Sequence, residues 1–217
     1  MSGARDRILQ RVRVALGRDG PLPAAAAEPL YAYVAEHPAG PRPGTDWDPI
    51  VRFRERALAA SSTLDQVETI AAVPDAVARY LARTNLTPSA VIWPELASLD
   101  WKGAGVAVEA RKAGGGDRVG ITGCFCALAE TGTLLQLSAN ARPASTSLVP
   151  DTHIAIVPAG RIVNGMEEAW ALVRKECEAL PRAVNFISGP SRTADIEQTL
   201  VLGAHGPYRV HIVVVAG

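Results

Sequence analysis

The sequence predicts an α/β fold: a mostly parallel sheet with helices on both faces. Three observations point there. From residue 47 onward, short apolar runs of strand length alternate with segments whose apolar residues recur at helical spacing. The last such run, His211-Ile-Val-Val-Val215, is continuously apolar behind its histidine, as an interior parallel strand is. No internal repeat competes with this pattern, and strand–helix alternation implies right-handed crossovers. In chain order, Ile8, Leu9, Val12, Ala15 and Leu16 predict a first helix over 4–17, ended by Gly17 and Gly20. Residues 18–49 hold seven of the chain's 16 prolines and predict an extended arm. The organisation expected is therefore 1–46, an N-terminal helix and proline-rich arm, and 47–217, the α/β domain. Within it, helices are expected over 48–60 (capped by Asp46 or Asp48), 74–83, 167–177 and 195–202. Strands are expected over 67–71, 90–93, 106–110, 133–137, 153–157, 183–187 and 210–215.

Composition narrows the function. The chain has 217 residues, 48% of them hydrophobic, enough for a real core. Lysine plus arginine equals aspartate plus glutamate, 22 each, so net charge does not favour nucleic acid or anionic lipid. Aromatics at 5% leave little for base stacking. No apolar run approaches the roughly 20 residues of a membrane span, so no membrane insertion is expected. The arginine-rich amphipathic start lacks the apolar stretch of a secretory signal and reads as a docking helix. Three cysteines, Cys124, Cys126 and Cys177, cannot all pair, which suits a reducing, cytoplasmic compartment. C-x-C alone offers too few ligands for zinc or an iron–sulfur cluster, and four histidines without spacing give no metal site. No phosphate-binding glycine loop with its lysine, dinucleotide fingerprint or nucleophile elbow is present, so no cofactor is expected.

Three segments could hold chemistry, since ligands in open α/β sheets bind at loops beyond strand ends. The first runs from Gly120 to Thr133 and ends Glu130-Thr-Gly-Thr133. Glu130 at a strand-entry turn could serve as nucleophile or general base, or bond local backbone N–H groups. The second, Ser188-Gly-Pro-Ser-Arg-Thr-Ala-Asp-Ile-Glu197, turns out of a strand into hydroxyls and Arg192. Ser191, Thr193 or Asp195 could cap a helix, with Gln198 at capping-box spacing, or the turn could bind an anion beside Arg192. The third is Gly203-Ala-His205-Gly-Pro207, where His205 could cap carbonyls or act on a ligand near neutral pH.

The stretch from Ser188 to Pro207 closely resembles the signature of the LUD-domain family, in its lactate utilization protein C branch. Ala129-Glu-Thr-Gly-Thr133 looks like that family's second motif, and Arg142 with Ser147-Leu-Val-Pro-Asp-Thr-His153 like its third. The resemblance covers about residues 60–217. It implies a fold similar to ribose-5-phosphate isomerase, glucosamine-6-phosphate deaminase and the CoA transferases. It also implies action with two iron–sulfur partner proteins in the oxidation of L-lactate to pyruvate. The chain departs from the family pattern at Phe125, where an acidic residue is frequent; this weakens any carboxylate cluster there.

Two functions are compatible with these residues. One is a non-redox subunit of an L-lactate utilization system that binds a small anion or a partner protein. The other is an enzyme similar to CoA transferases or folate cyclo-ligases, with Glu130 as reactive carboxylate. The expected anion site comprises Thr131, Gly132, Thr133, Gly189, Ser191, Arg192, Thr193 and Asp195. His205 is assigned a lesser part, because a helix over 195–202 would set its loop about 12 Å from Ser191.

Overall fold

The computed structural model describes residues 3–18, 20, 22–196 and 199–217. The chain divides into two compact units, Met1–Gly44 and Thr45–Gly217.

The first unit contains two helices, α1 (Ala4–Ala15) and α2 (Ala24–Glu36). α2 corrects the expectation of an extended arm. Pro29 lies inside it, where a proline forfeits one backbone bond and costs about 3 kcal/mol. Four alanines precede that proline and Leu30 to Glu36 follow it, so strong helix formers flank the single defect. His37 ends the helix in the left-handed conformation (φ 48°). Neither helix has a buried residue.

The second unit opens with α3 (Pro49–Ala59). Pro49 stands at its first position, and the Asp48 carboxylate accepts the N–H groups of Ile50 and Val51, both at 2.9 Å. There follow β1 (Thr63–Val67), α4 (Val73–Arg83), β2 (Ser89–Ile92), β3 (Ala107–Ala110), β4 (Val119–Thr122), β5 (Cys126–Leu128) and β6 (Thr133–Leu137). Next come α5 (Ser145–Leu148), β7 (Thr152–Pro158), β8 (Ile162–Val163) and α6 (Met166–Glu176). The chain then finishes with β9 (Val184–Ile187), β10 (Arg192–Ile196), β11 (Thr199–Leu202) and β12 (Arg209–Val215).

Six strands form one sheet in the order β1-β12-β7-β4-β2-β3, every neighbouring pair parallel. The α/β class with a parallel sheet is therefore correct. The apolar runs of β7 and β12 occupy the middle, as their burial on both faces requires. Ile154, Ile156, Val213 and Val215 point to one face, where Val77, Tyr80 and Leu81 of α4 cover them. Ala155, Val157, Ile212 and Val214 point to the other. That face is covered by Phe53 and Ala57 of α3 together with a second sheet, ordered β8-β5-β6-β9. Ala127, Ala129 and Leu134 of this second sheet face inward, while Cys126, Leu128 and Leu135 face Ala169 and Val173 of α6. The core is thus layered helix, sheet, sheet, helix, with α3 beside the second sheet.

Three further expectations are corrected. The strand expected at 67–71 lies at Thr63–Val67, an edge strand whose Asp65 and Gln66 are tolerated because it is only partly buried. The segment 120–133 holds β4 and β5 rather than one loop. Their three- or four-residue lengths and Gly, Ala and Cys content give little periodicity, and tertiary burial makes them strands. Finally, the helix expected over 195–202 is an antiparallel hairpin of β10 and β11, pairing Arg192 with Leu202 and Thr193 with Val201. β-branched Thr193, Ile196, Thr199 and Val201 suit a strand, and that preference prevails over the capping-box spacing.

Candidate functional site

Glu130, Thr131, Gly132 and Thr133 form the link between β5 and β6 and are fastened to α3. The backbone N–H of Glu130 donates to Asn164 O at 2.9 Å, and its carbonyl accepts from Arg56 Nε at 3.0 Å. Gly132 has φ 69°, and a Cβ there would lie 2.3 Å from the Ala57 nitrogen, so only glycine fits. Thr131, Thr133 and Ser188 make a chain of hydroxyls, Oγ1 to Oγ1 at 2.7 Å and Oγ1 to Oγ at 2.6 Å. The carboxylate of Glu130 turns toward Gly165, the residue capping the start of α6: its Oε2 is 3.0 Å from where a Cβ on Gly165 would stand. The Glu168 carboxylate, which already accepts the Gly165 N–H at 3.0 Å, and that of Glu167 approach the same point, so three like charges share this helix start.

The second segment meets the same helix one turn further on. Gly189 has φ 75°, and a Cβ there would lie 2.1 Å from the Ala60 carbonyl oxygen. The Arg192 guanidinium donates to the Ser61 hydroxyl and, at 3.4 Å, to Ala60 O. It is therefore anchored rather than free. Thr193 is half-buried in β10. Asp195 is also a residue of β10; its side chain, like all of Gln198, lies outside the described residues.

The hairpin changes the place of His205. Two antiparallel strands return the chain to its start, so both ends of the motif meet at Ser191. Ser191 N–H donates to Pro207 O at 2.9 Å, and Ser191 O accepts from Gly203 N–H at 2.9 Å. A Cβ on Gly206 would be 3.2 Å from Ser191 Cβ. The roughly 12 Å separation expected from a helix does not exist. His205 is exposed in the loop that closes over Ser191. The structure thus brings Thr131, Gly132, Thr133 and Gly189 together through the Thr133–Ser188 bond and α3. Ser191, Arg192 and the His205 loop adjoin them at the end of that helix.

Two buried polar groups lie outside the expected anion site. His153 on β7, fully buried, lies 2.8 Å from Thr122 Oγ1, which also accepts from Gln136 Nε2 at 2.6 Å. Burial lowers the His153 pKa to about 3, which keeps it neutral. His211 on β12 stacks on Tyr80 with ring centroids 3.9 Å apart, and its Nδ1 is 2.9 Å from Thr63 Oγ1. Burial lowers its pKa to about 4, opposed by the nearby Asp65 carboxylate. The signal for the first group was present: Thr122 and Gln136 are polar residues inside apolar runs. The cysteines behave as small buried residues, with burial pushing the Cys126 thiol up to about 11 and that of Cys124 further. The Phe125 carbonyl accepts from Arg161 Nε at 2.7 Å, and its ring lies 4.8 Å beneath that guanidinium. Among the described residues no helix is long and apolar enough to cross a membrane.

A six-stranded parallel sheet stacked on a small mixed sheet, with two glycine–hydroxyl loops fixed to one helix end, defines the class: an α/β domain with a loop-built polar site. The family model for the LUD domain matches residues 56–215, and the chain belongs to that family. It is similar to lactate utilization protein C of Bacillus licheniformis, 40% identical over 100 residues, 45% of this chain and 42% of that protein. The protein of that name from Halalkalibacterium halodurans is 44% identical over 100 residues, 45% of this chain and 44% of that one. That from an Exiguobacterium species is 38% identical over 141 residues, 64% of this chain and 61% of that one. The chain thus spans less than half the length of the first two relatives. Among solved structures, a DUF162 family protein from Deinococcus radiodurans is similar, with 27% identity and a TM-score of 0.56. That match covers 77% of this chain and 96% of the other.

Proposed function

We propose that this chain is the non-redox component of an L-lactate utilization system, works with iron–sulfur partner proteins, and binds a small anion. The relatives' names supply the process. The observation that supports a ligand role is the closure of both ends of the 188–207 segment on Ser191, beside Arg192 and the Thr131–Thr133–Ser188 hydroxyl chain. N–H, O–H and guanidinium donors dominate this cluster, as an anion requires. Thr131, Gly132, Thr133, Gly189, Ser191, Arg192, Thr193 and Asp195 are the proposed binding set, with His205 raised to an equal place by the hairpin. A strain lacking this chain should fail to grow on L-lactate and recover with the wild-type copy. Recovery with an Arg192→Ala copy should be poor, and full recovery with it would remove Arg192 from the site.

The enzyme reading uses Glu130 as a reactive carboxylate. That carboxylate shares the start of α6 with those of Glu167 and Glu168, a crowding of negative charge that disfavours an anionic acyl-CoA. Incubation with acyl-CoA and then hydroxylamine should leave the peptide containing Glu130 unmodified by mass; an adduct there would reinstate the enzyme.

A further inference from the structure

A cavity of about 320 Å³ opens at the amino edge of the main sheet, under the loop that joins β11 to β12, and it adjoins the loop cluster through Pro190 and Ser61, the partner of Arg192. Its volume falls in the range of small-molecule sites. Two arginines from different elements converge on it, Arg83 at the end of α4 and Arg209 at the start of β12. The Tyr80 side chain lies in the cavity wall, with the Arg83 guanidinium 5.7 Å over its ring. Arg83 has one distant acidic partner, Asp65, at 3.7 Å. Arg209 has no carboxylate partner among the described residues; its guanidinium lies 4.9 Å over the Tyr208 ring. The carbonyls at the end of α4, which would repel an anion, are occupied. Thr84 Oγ1 donates to Tyr80 O at 2.8 Å, and Leu86 N–H donates to Leu81 O at 2.9 Å.

Part of the cavity wall is apolar. Pro190, Leu202 and Tyr208 line it, and Leu202 and Tyr208 are 39% and 47% exposed. Large apolar side chains around a charged pocket match a ligand that is apolar at one end. The floor is rigid: Tyr80 is clamped face to face on the buried His211, and Thr63 bonds that histidine. We infer that this cavity binds an organic oxyanion, a phosphate monoester or carboxylate on an apolar body, with Arg83 and Arg209 holding the oxyanion. Arginine forks suit both head groups. This inference stands on the cavity's own geometry and does not require the role in lactate utilization.

Calorimetric titration of the full chain with phenyl phosphate, benzoate and inorganic phosphate tests it. Phenyl phosphate or benzoate should bind, and inorganic phosphate should bind at least about tenfold more weakly, because it buries no apolar surface. Arg83→Gln and Arg209→Gln should each weaken the organic anion by about tenfold or more, as expected for loss of a charge-assisted hydrogen bond. Arg209→Lys, which keeps the charge but not the fork, should fall between and should show the wild-type circular dichroism. Absence of binding by either organic anion overturns the inference, as does inorganic phosphate binding equally well. Affinity that survives Arg83→Gln and Arg209→Gln but falls in Arg192→Gln also overturns it, and assigns the anion to the loop cluster instead.

Discussion

The cavity beyond the carboxyl ends of β2 and β4 and the cavity under the amino ends of β1 and β12 are of similar size, about 380 and 320 Å³. Each contains two arginines, yet their charges are handled differently. At the carboxyl edge Arg161 forms a two-pronged pair with Glu176, 2.8 and 3.0 Å, and Arg142 lies 3.3 Å from Glu95. That pairing raises the Arg161 pKa and lowers that of Glu176. At the amino edge Arg83 has only a loose partner and Arg209 none among the described residues. Parallel sheets usually bind ligands beyond their carboxyl ends. Here the arginines of the carboxyl-edge cavity are matched by acids of the same chain, while in the amino-edge cavity Arg209 has no such partner among the described residues. The two cavities therefore differ in the charge they offer a ligand as well as in their edge.

The largest effect should come from the loop between β9 and β10, which adds Pro190 to the roof of the amino-edge cavity. Gly189→Ala adds a Cβ 2.1 Å from the Ala60 oxygen at a left-handed residue. Strain and overpacking together should cost about 4 kcal/mol, on the order of 10 °C in melting temperature. Gly160→Ala, just past the carboxyl end of β7, meets nothing within 4 Å and should stay within about 1 °C. Equal losses at the two glycines would show that the roof is not specially fastened.

A second difference concerns pH. Both fully buried histidines, His153 and His211, lie near the amino ends of β7 and β12. Their folded pKa values, about 3 and about 4, are below the ordinary 6.5. The unfolded chain therefore binds more protons below pH 6.5. The histidines' contribution is complete above that pH and is lost as pH falls toward the folded values. Each can remove up to about 1.4 kcal/mol per pH unit within this window. Denaturant melts between pH 7.5 and 5 should show the decline, and His211→Phe should make it shallower. A decline unchanged in His211→Phe would show that this histidine does not stay neutral in the fold.

Much of this architecture was legible in the sequence. β2, β7, β12, α4 and α6 are apolar runs or periodic stripes long enough to declare themselves. α2 was hidden by a proline count that ignored the alanines around Pro29. β4 and β5 were hidden because short runs of Gly, Ala, Cys and Thr acquire their strand character only from burial. The hairpin was hidden by Asp195 and Gln198, whose spacing also fits a helix start, and with it the meeting of Ser191 and the His205 loop. For Gly132 and Gly189, both in the expected anion site, what the structure shows is steric: both let a loop touch α3. Arg83, Tyr80, Tyr208 and Arg209 carried no signal, because nothing local marks residues that only the β1–β12 pairing and α4 bring together.

The central claim, that the arginines of the carboxyl-edge cavity are paired with acids while Arg209 of the amino-edge cavity has no carboxylate partner among the described residues, is tested most directly by two ligand-free melts. Arg161→Ala removes the pair with Glu176 and the bond to the Phe125 carbonyl. With the partly exposed pair discounted for solvent, this should cost about 1–2 kcal/mol, near 4 °C. Arg209→Ala removes only an exposed contact with Tyr208 and should change the melting temperature by no more than about 1 °C. A loss of several degrees for Arg209→Ala, with Arg161→Ala nearly silent, would contradict the account.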